Sequence, residues 1–139
     1  MNNSTLLEKI NKRNHGTLMQ TLGIEFTELG ENYLVARMPV GPAVHQPDGV
    51  LHGGATAALA ETVGSSAAAV FCLPKDHILR GINVSAKHVR SVRSGFVHAR
   101  AMATHQGKTM QVWSIKITDD QNRLVSTCSL TTLILPIKK

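Results

Sequence analysis

Between Gly49 and Leu73 the chain reads GVLHGGATAALAETVGSSAAAVFCL, and apart from the Cys72 thiol its only ionisable side chains there are His52 and Glu61. A carboxylate in the middle of a small-residue helix must be neutralised, paired or put to work, because burying it unpaired costs several kcal/mol or moves its pKa sharply. Glu61 is therefore read as the catalytic residue. His-Gly-Gly at 52–54 marks a helix start, and the predicted helix runs from Ala55 to Phe71 with Gly64 as its one weak point, at about 1 kcal/mol relative to alanine. A helix start carries free N–H groups and partial positive charge, so the Gly53 N–H can polarise a carbonyl or hold an oxyanion. That is half of an acyl-transfer site.

Glu61 follows His52 by nine residues, which on an ideal helix is roughly 13 Å along the axis and about half a turn around it. The two side chains cannot face one point. Either they have separate jobs or the helix start of one subunit faces the mid-helix carboxylate of another across a two-fold interface, and the second arrangement is preferred. Ser65, one turn after Glu61, shares its helical face and can orient a water or steady the carboxylate. Gln46, in the loop before the helix, can supply a second N–H to the same carbonyl. Each has a plainer role open to it: His52 can cap the helix, and Ser65 can pack and bond back to a helix carbonyl.

The run QPDGVLHGGATAALAETVGSSAA resembles the hotdog-fold thioesterases, in particular the subgroup acting on aromatic acyl-CoA that includes 1,4-dihydroxy-2-naphthoyl-CoA hydrolase and the enterobactin proofreading thioesterase. The likeness continues through GINVSAKHVRSVRSG and QVWSIKITDDQNRLVSTCSLTTLIL, nearly the whole length. It implies catalytic roles for Gln46, His52, Gly53, Glu61 and Ser65. In that family the glutamate acts as nucleophile or general base while the glycine N–H and glutamine amide polarise the thioester carbonyl. A glutamate rather than an aspartate at position 61 is what points to the aromatic-acyl subgroup. The resemblance also implies that Gly81, His88, Val89, Arg90, Ser91 and the turn His105, Gln106, Gly107, Lys108, Thr109 and Met110 contact the coenzyme A part of the substrate. No further cofactor is expected, and relatives of this kind form dimers or dimers of dimers.

The elements that must hold these residues read as β-strands around the helix. Ile24 and Phe26 alternate with polar residues, a turn follows at Gly30–Asn32, and Tyr33–Val40 continues as a second strand ended by Pro42. Ile78–Val89, Phe96–Thr104, Met110–Thr118 and Leu124–Leu135 are four more β-rich runs, parted by turn residues at Ser94-Gly95, Gln106-Gly107 and Asp119–Asn122. The expected fold is α+β: a curved antiparallel sheet of about six strands wrapped round one long central helix. Thr5 to Glu8 reads as a capping box for a short amphipathic helix carrying Leu6, Leu7 and Ile10. At 139 residues, with no linker or repeat, the chain is expected to form one domain, residues 1–139.

Composition narrows the function classes. The N-terminus lacks the apolar run of a signal peptide, the two cysteines give no disulfide framework, and a cytoplasmic protein with free thiols is expected. Glu61 near the centre of the long helix argues against a membrane span. Seven histidines occur without zinc spacing, so no metal is expected. The net charge of +6 clusters at Lys87, His88, Arg90 and Arg93 and at His105 and Lys108, which suits the phosphates of coenzyme A or an acidic carrier protein; a solvated surface is the plainer reading for Lys87, Lys138 and Lys139. Aromatic residues make up only 4% and do not interleave with the basic ones, so nucleic acid is not an expected partner. No Gly-x-Ser-x-Gly elbow is present for a serine nucleophile. A dehydratase, or a binder of acyl thioesters without catalysis, are the competing functions. Val63, Met19 and Phe71 are guessed as walls of the acyl pocket from apolarity alone.

Overall fold

The structure is a computed structural model that describes residues 2–138. The chain opens with α1 (Asn3–Lys12), capped by Asn2, whose side chain accepts the Thr5 N–H at 2.8 Å. The expected Thr5–Glu8 capping box is therefore not formed. The helix begins three residues earlier, because asparagine caps at least as well as threonine and Asn2 already takes the free N–H of Thr5. A short α2 (Leu18–Leu22), absent from the sequence reading, ends at Gly23 in the left-handed conformation (φ 74°) that stops helices.

The strands follow the sequence pattern closely: β1 (Glu25–Leu29), β2 (Tyr33–Pro39), then, after the helix, β3 (His77–His88), β4 (Phe96–Gln106), β5 (Met110–Asp119) and β6 (Leu124–Pro136). Between β2 and the helix a 3-10 turn at Pro42–Val44 turns the chain back. The central helix α3 runs Gly53–Cys72. Every strand pairing is antiparallel, and the sheet order is β1-β2-β4-β5-β6-β3. This is the hotdog arrangement.

Alternation along the strands makes one face of the sheet apolar, and α3 lies on it. Val97, Ala99 and Ala101 of β4, Trp113, Ile115 and Ile117 of β5 and Leu130 of β6 are fully buried with Leu59, Ala60, Val63, Ala67 and Ala68 of α3. The helix side chains are small so that the curved sheet can come close. A Cβ on Gly64 would stand 2.7 Å from Leu130 Cδ2 and 3.3 Å from Ile115 Cδ1, so the residue that weakens the isolated helix is the one the sheet requires. Phe71 stacks on Trp113 with ring centroids 6.2 Å apart. Val63 and Phe71 are thus packing residues of the core.

The two edges of the sheet differ. Along β1, α1 lies over the edge and its asparagines occupy the backbone: Asn3 Nδ2 donates to Leu29 O (2.8 Å), and Asn11 takes the Phe26 N–H (2.8 Å) and donates to Phe26 O (2.9 Å); in the turn after α1, Asn14 Nδ2 donates to Ile24 O just before β1 (3.2 Å). Along β3, the other edge, no strand of the described chain pairs, and Ile82 and Val84 are 52% and 36% exposed.

β3 also carries a bulge. Gly81 pairs with Thr132 and Asn83 with Thr131, so Ile82 is an extra residue against β6. In a regular strand Gly81 and His88, seven apart, would face opposite sides of the sheet. The inserted residue resets the alternation and lets both face α3.

Candidate functional site

The loop before α3 is tied down by its own backbone. Gln46 N–H donates to Val50 O (2.8 Å), Leu51 N–H to Val92 O (2.8 Å) and His52 N–H to Val44 O (2.8 Å), fixing where the helix starts. His52 is the N-cap, and its Nδ1 accepts the Gly54 N–H at 2.7 Å. The Gly53 N–H bonds to no group of the described chain and is left free at the positive end of a 20-residue helix.

Gly53 opens into a cleft of about 370 Å³ between the helix start and the end of β3. Gln46, Thr56, His88, Arg90 and Ser91 line it, with Val50, Val89 and Val125 as apolar walls. The Gln46 side-chain oxygen accepts the Asp48 N–H, which leaves its amide N–H groups as the free donors. A Cβ at position 53 would stand 2.8 Å from His88 Nε2, so any larger residue would push that ring from its place. Two neutral donors and an imidazole therefore line one cleft, and the donors can polarise a carbonyl that enters it.

Glu61 sits further along α3, exposed and facing a different part of β3. A Cβ on Gly81 would stand 3.0 Å from Glu61 Oε2 and 3.5 Å from Ser65 Oγ, so the carboxylate and the hydroxyl gather over that glycine. Gly81, expected at the nucleotide, is placed beside the carboxylate. His52 turns away from the cleft toward an apolar groove lined by Leu18, Leu22, Val44 and Ala58, so Gln46 and Gly53 share the cleft without it. Within one protomer the helix start and the carboxylate form two half-sites about 12 Å apart along the axis.

The residues expected at the coenzyme A also separate into two groups. His88, Val89, Arg90 and Ser91 lie in the cleft. The turn His105–Met110 joins β4 to β5 at the other end of the helix, where Cys72 Sγ lies 3.6 Å from Gln106 Oε1 and burial pushes that thiol's pKa up. The turn is held from inside by Gln111, fully buried, which donates to Gly107 O (2.8 Å) and accepts from Thr132 Oγ1 (2.9 Å). Arg90 Nε reaches Leu124 O at 3.3 Å. Sequence reasoning missed Thr56 and Ser126. Thr56 carries a polar group one turn inside the helix start, which was a visible signal; Ser126 sits in a β-run and gave none.

The thioesterase superfamily model matches residues 48–126, which hold the helix start, Glu61 and β3 through β5. The chain belongs to that superfamily. This thioesterase is 44% identical over 130 residues to the proofreading thioesterase EntH of Cronobacter turicensis, covering 93% of each chain. Among solved structures it matches a thioesterase from Haemophilus influenzae at 40% identity and TM-score 0.92, covering 96% of this chain and 92% of the other. It also matches a glutamine-to-alanine mutant of a thioesterase from Pseudomonas aeruginosa at 37% identity and TM-score 0.91, covering 94% of each. The thioesterase is accordingly a thioester hydrolase with the hotdog fold.

Proposed function

We propose that the thioesterase hydrolyses aromatic acyl-CoA to free acid and coenzyme A in a site shared by two subunits. The carrying observation is that both half-sites abut one strand, β3, at the open edge of the sheet: Gly53 beside His88, Glu61 beside Gly81. A two-fold axis beside Ser85 sets Val84 against Ala86 of the partner subunit, both on the helix side, and, with Ile82 as the extra residue, sets Gly81 against His88 of the partner subunit. Glu61 then faces the partner's cleft, and the 12 Å that separates the half-sites within one chain ceases to matter. The same axis unites the two nucleotide-contact groups. Arg80 pairs with Leu133 and Leu133 with Met110, so the His105–Met110 turn lies three strand spacings, about 14 Å, from the partner's β3.

In this site the thioester oxygen accepts hydrogen bonds from the Gly53 N–H and the Gln46 amide. Glu61 of the other subunit attacks the carbonyl carbon to form an anhydride and expel the thiolate, or takes a proton from a water held by Ser65 that attacks instead. His52 serves this site from outside the cleft, by accepting the Gly54 N–H and so holding the helix start that presents Gly53. Arg90 and Lys108 meet the phosphates, and no cofactor is needed beyond the coenzyme A of the substrate. The assembly is a cytoplasmic dimer, or a dimer of dimers.

Likeness to EntH supports a second reading of the substrate, an aryl or acyl group carried on phosphopantetheine of a carrier protein. The test is thiol release from benzoyl-CoA, a medium-chain acyl-CoA and an aryl carrier-protein thioester, each with Glu61→Ala in parallel. Loss of a general base or nucleophile lowers kcat by about 10²–10⁴-fold. Turnover that persists in Glu61→Ala overturns the catalytic assignment, and turnover only on the carrier protein selects the second substrate. Single turnover in labelled water separates nucleophile from base by whether label enters Glu61.

A further inference from the structure

His88 lies beside Gly53 in the cleft, and the bonds behind it decide which of its nitrogens carries a proton. Nδ1 lies 3.0 Å from Ser126 Oγ, and Ser126, fully buried on β6, donates to the Lys87 carbonyl at 3.1 Å. A carbonyl only accepts, and a serine hydroxyl has one proton. Ser126 spends that proton on Lys87, leaving two lone pairs. Cys128 Sγ, 3.3 Å away, can fill one of them, because burial pushes that thiol's pKa up and keeps its S–H in place. The other is filled from His88 Nδ1.

We propose that Ser126 is a positioning residue: its bond to Lys87 O makes Nδ1 the protonated nitrogen of neutral His88, so that Nε2 meets the substrate as a hydrogen-bond acceptor. This rests on the reading that the cleft at Gly53 takes the thioester. It adds a substrate requirement. Next to Gly53 the substrate must present an N–H or O–H donor, because a second acceptor there would face a lone pair. Two parts of an acyl-CoA can provide one, an amide of the pantetheine arm or a hydroxyl on the acyl group.

The tautomer is read by long-range ¹H–¹⁵N correlation spectra of the ¹⁵N-histidine-labelled thioesterase, with His88→Asn identifying the signals. A protonated Nδ1 and a bare Nε2 in the neutral ring are expected; the opposite tautomer overturns the proposal. The spectrum needs no turnover, so it stands even where the substrate reading fails. Ser126→Ala is expected to release the ring into mixed tautomers and lower kcat/KM about 10-fold, and Ser126→Thr, which restores a hydroxyl, to recover both. Ser126→Ala with wild-type tautomer and wild-type kinetics overturns the proposal. Benzoyl-CoA and hydroxybenzoyl-CoA distinguish the donor: an equal penalty on both assigns it to the pantetheine amide, and a penalty on the hydroxylated substrate alone assigns it to the acyl hydroxyl.

Discussion

The two edges of the sheet have opposite solutions to the same problem. Each presents a row of backbone N–H and C=O groups that can pair with another chain. At β1 the row is occupied by Asn3 and Asn11 of α1, which place amide groups where a neighbouring strand would place peptide groups. At β3 the row is open, with Val84 and Ala86 on the side of the helix and Ile82 pushed out in a bulge. The closed edge holds no group of the candidate site, whereas the open one runs past both half-sites. In the proposed assembly the free edge beside the incomplete site takes the partner, and the closed edge leaves that pairing one outcome, a closed two-fold dimer rather than a filament.

The largest effect is expected from closing β3. Val84→Lys puts a charge at the centre of the proposed strand pair. Sedimentation should show the dimer weakened at least about 10-fold, with hydrolysis lost in the same concentration range. A monomer that retains full activity would break the link between edge and site. Next in size is Gly81→Ala. The added methyl, 3.0 Å from Glu61 Oε2, pushes on an exposed and flexible carboxylate, so the fold should keep its stability while kcat falls about 3- to 10-fold. A fall in thermal stability of equal weight would mean that Gly81 serves packing against Leu130, the apolar neighbour of that methyl.

Much of this was legible in the sequence because the relevant signals are local. Alternation gave the six strands, and the small-residue run from Gly53 gave α3 and the placing of Glu61 and Ser65 on one face. What escaped depends on partners distant in the chain. Asn3, Asn11 and Asn14 look like ordinary polar residues in and just after an exposed helix until β1 is seen beside them; the Asn2 cap, three residues from Thr5, is the local exception. Ser126 lies 38 residues from His88. The bulge at Ile82 has no composition of its own: it is a count of one extra residue against β6, visible only when both strands are in register.

The same long-range bonds set the smaller effects, those on the closed edge. Asn11→Ala removes two bonds to Phe26 and leaves a partly buried N–H and C=O without partners, and about 1–3 kcal/mol of stability should go with them. Asn3→Ala removes a single bond near the exposed start of α1, worth about 0.5 kcal/mol, or a melting shift of about 1–2 °C. Neither should alter activity at a temperature where the protein is folded, since α1 and β3 lie at opposite ends of the sheet order. The ratio of the two losses is the informative quantity. If Asn3→Ala and Asn11→Ala cost the same small amount, α1 holds to the edge through Leu6, Leu7 and Ile10, which pack against the core, and the amides merely accompany that contact. If Asn11→Ala costs several times more, the amide pairing itself closes the edge, and β1 differs from β3 through a side chain that imitates a strand.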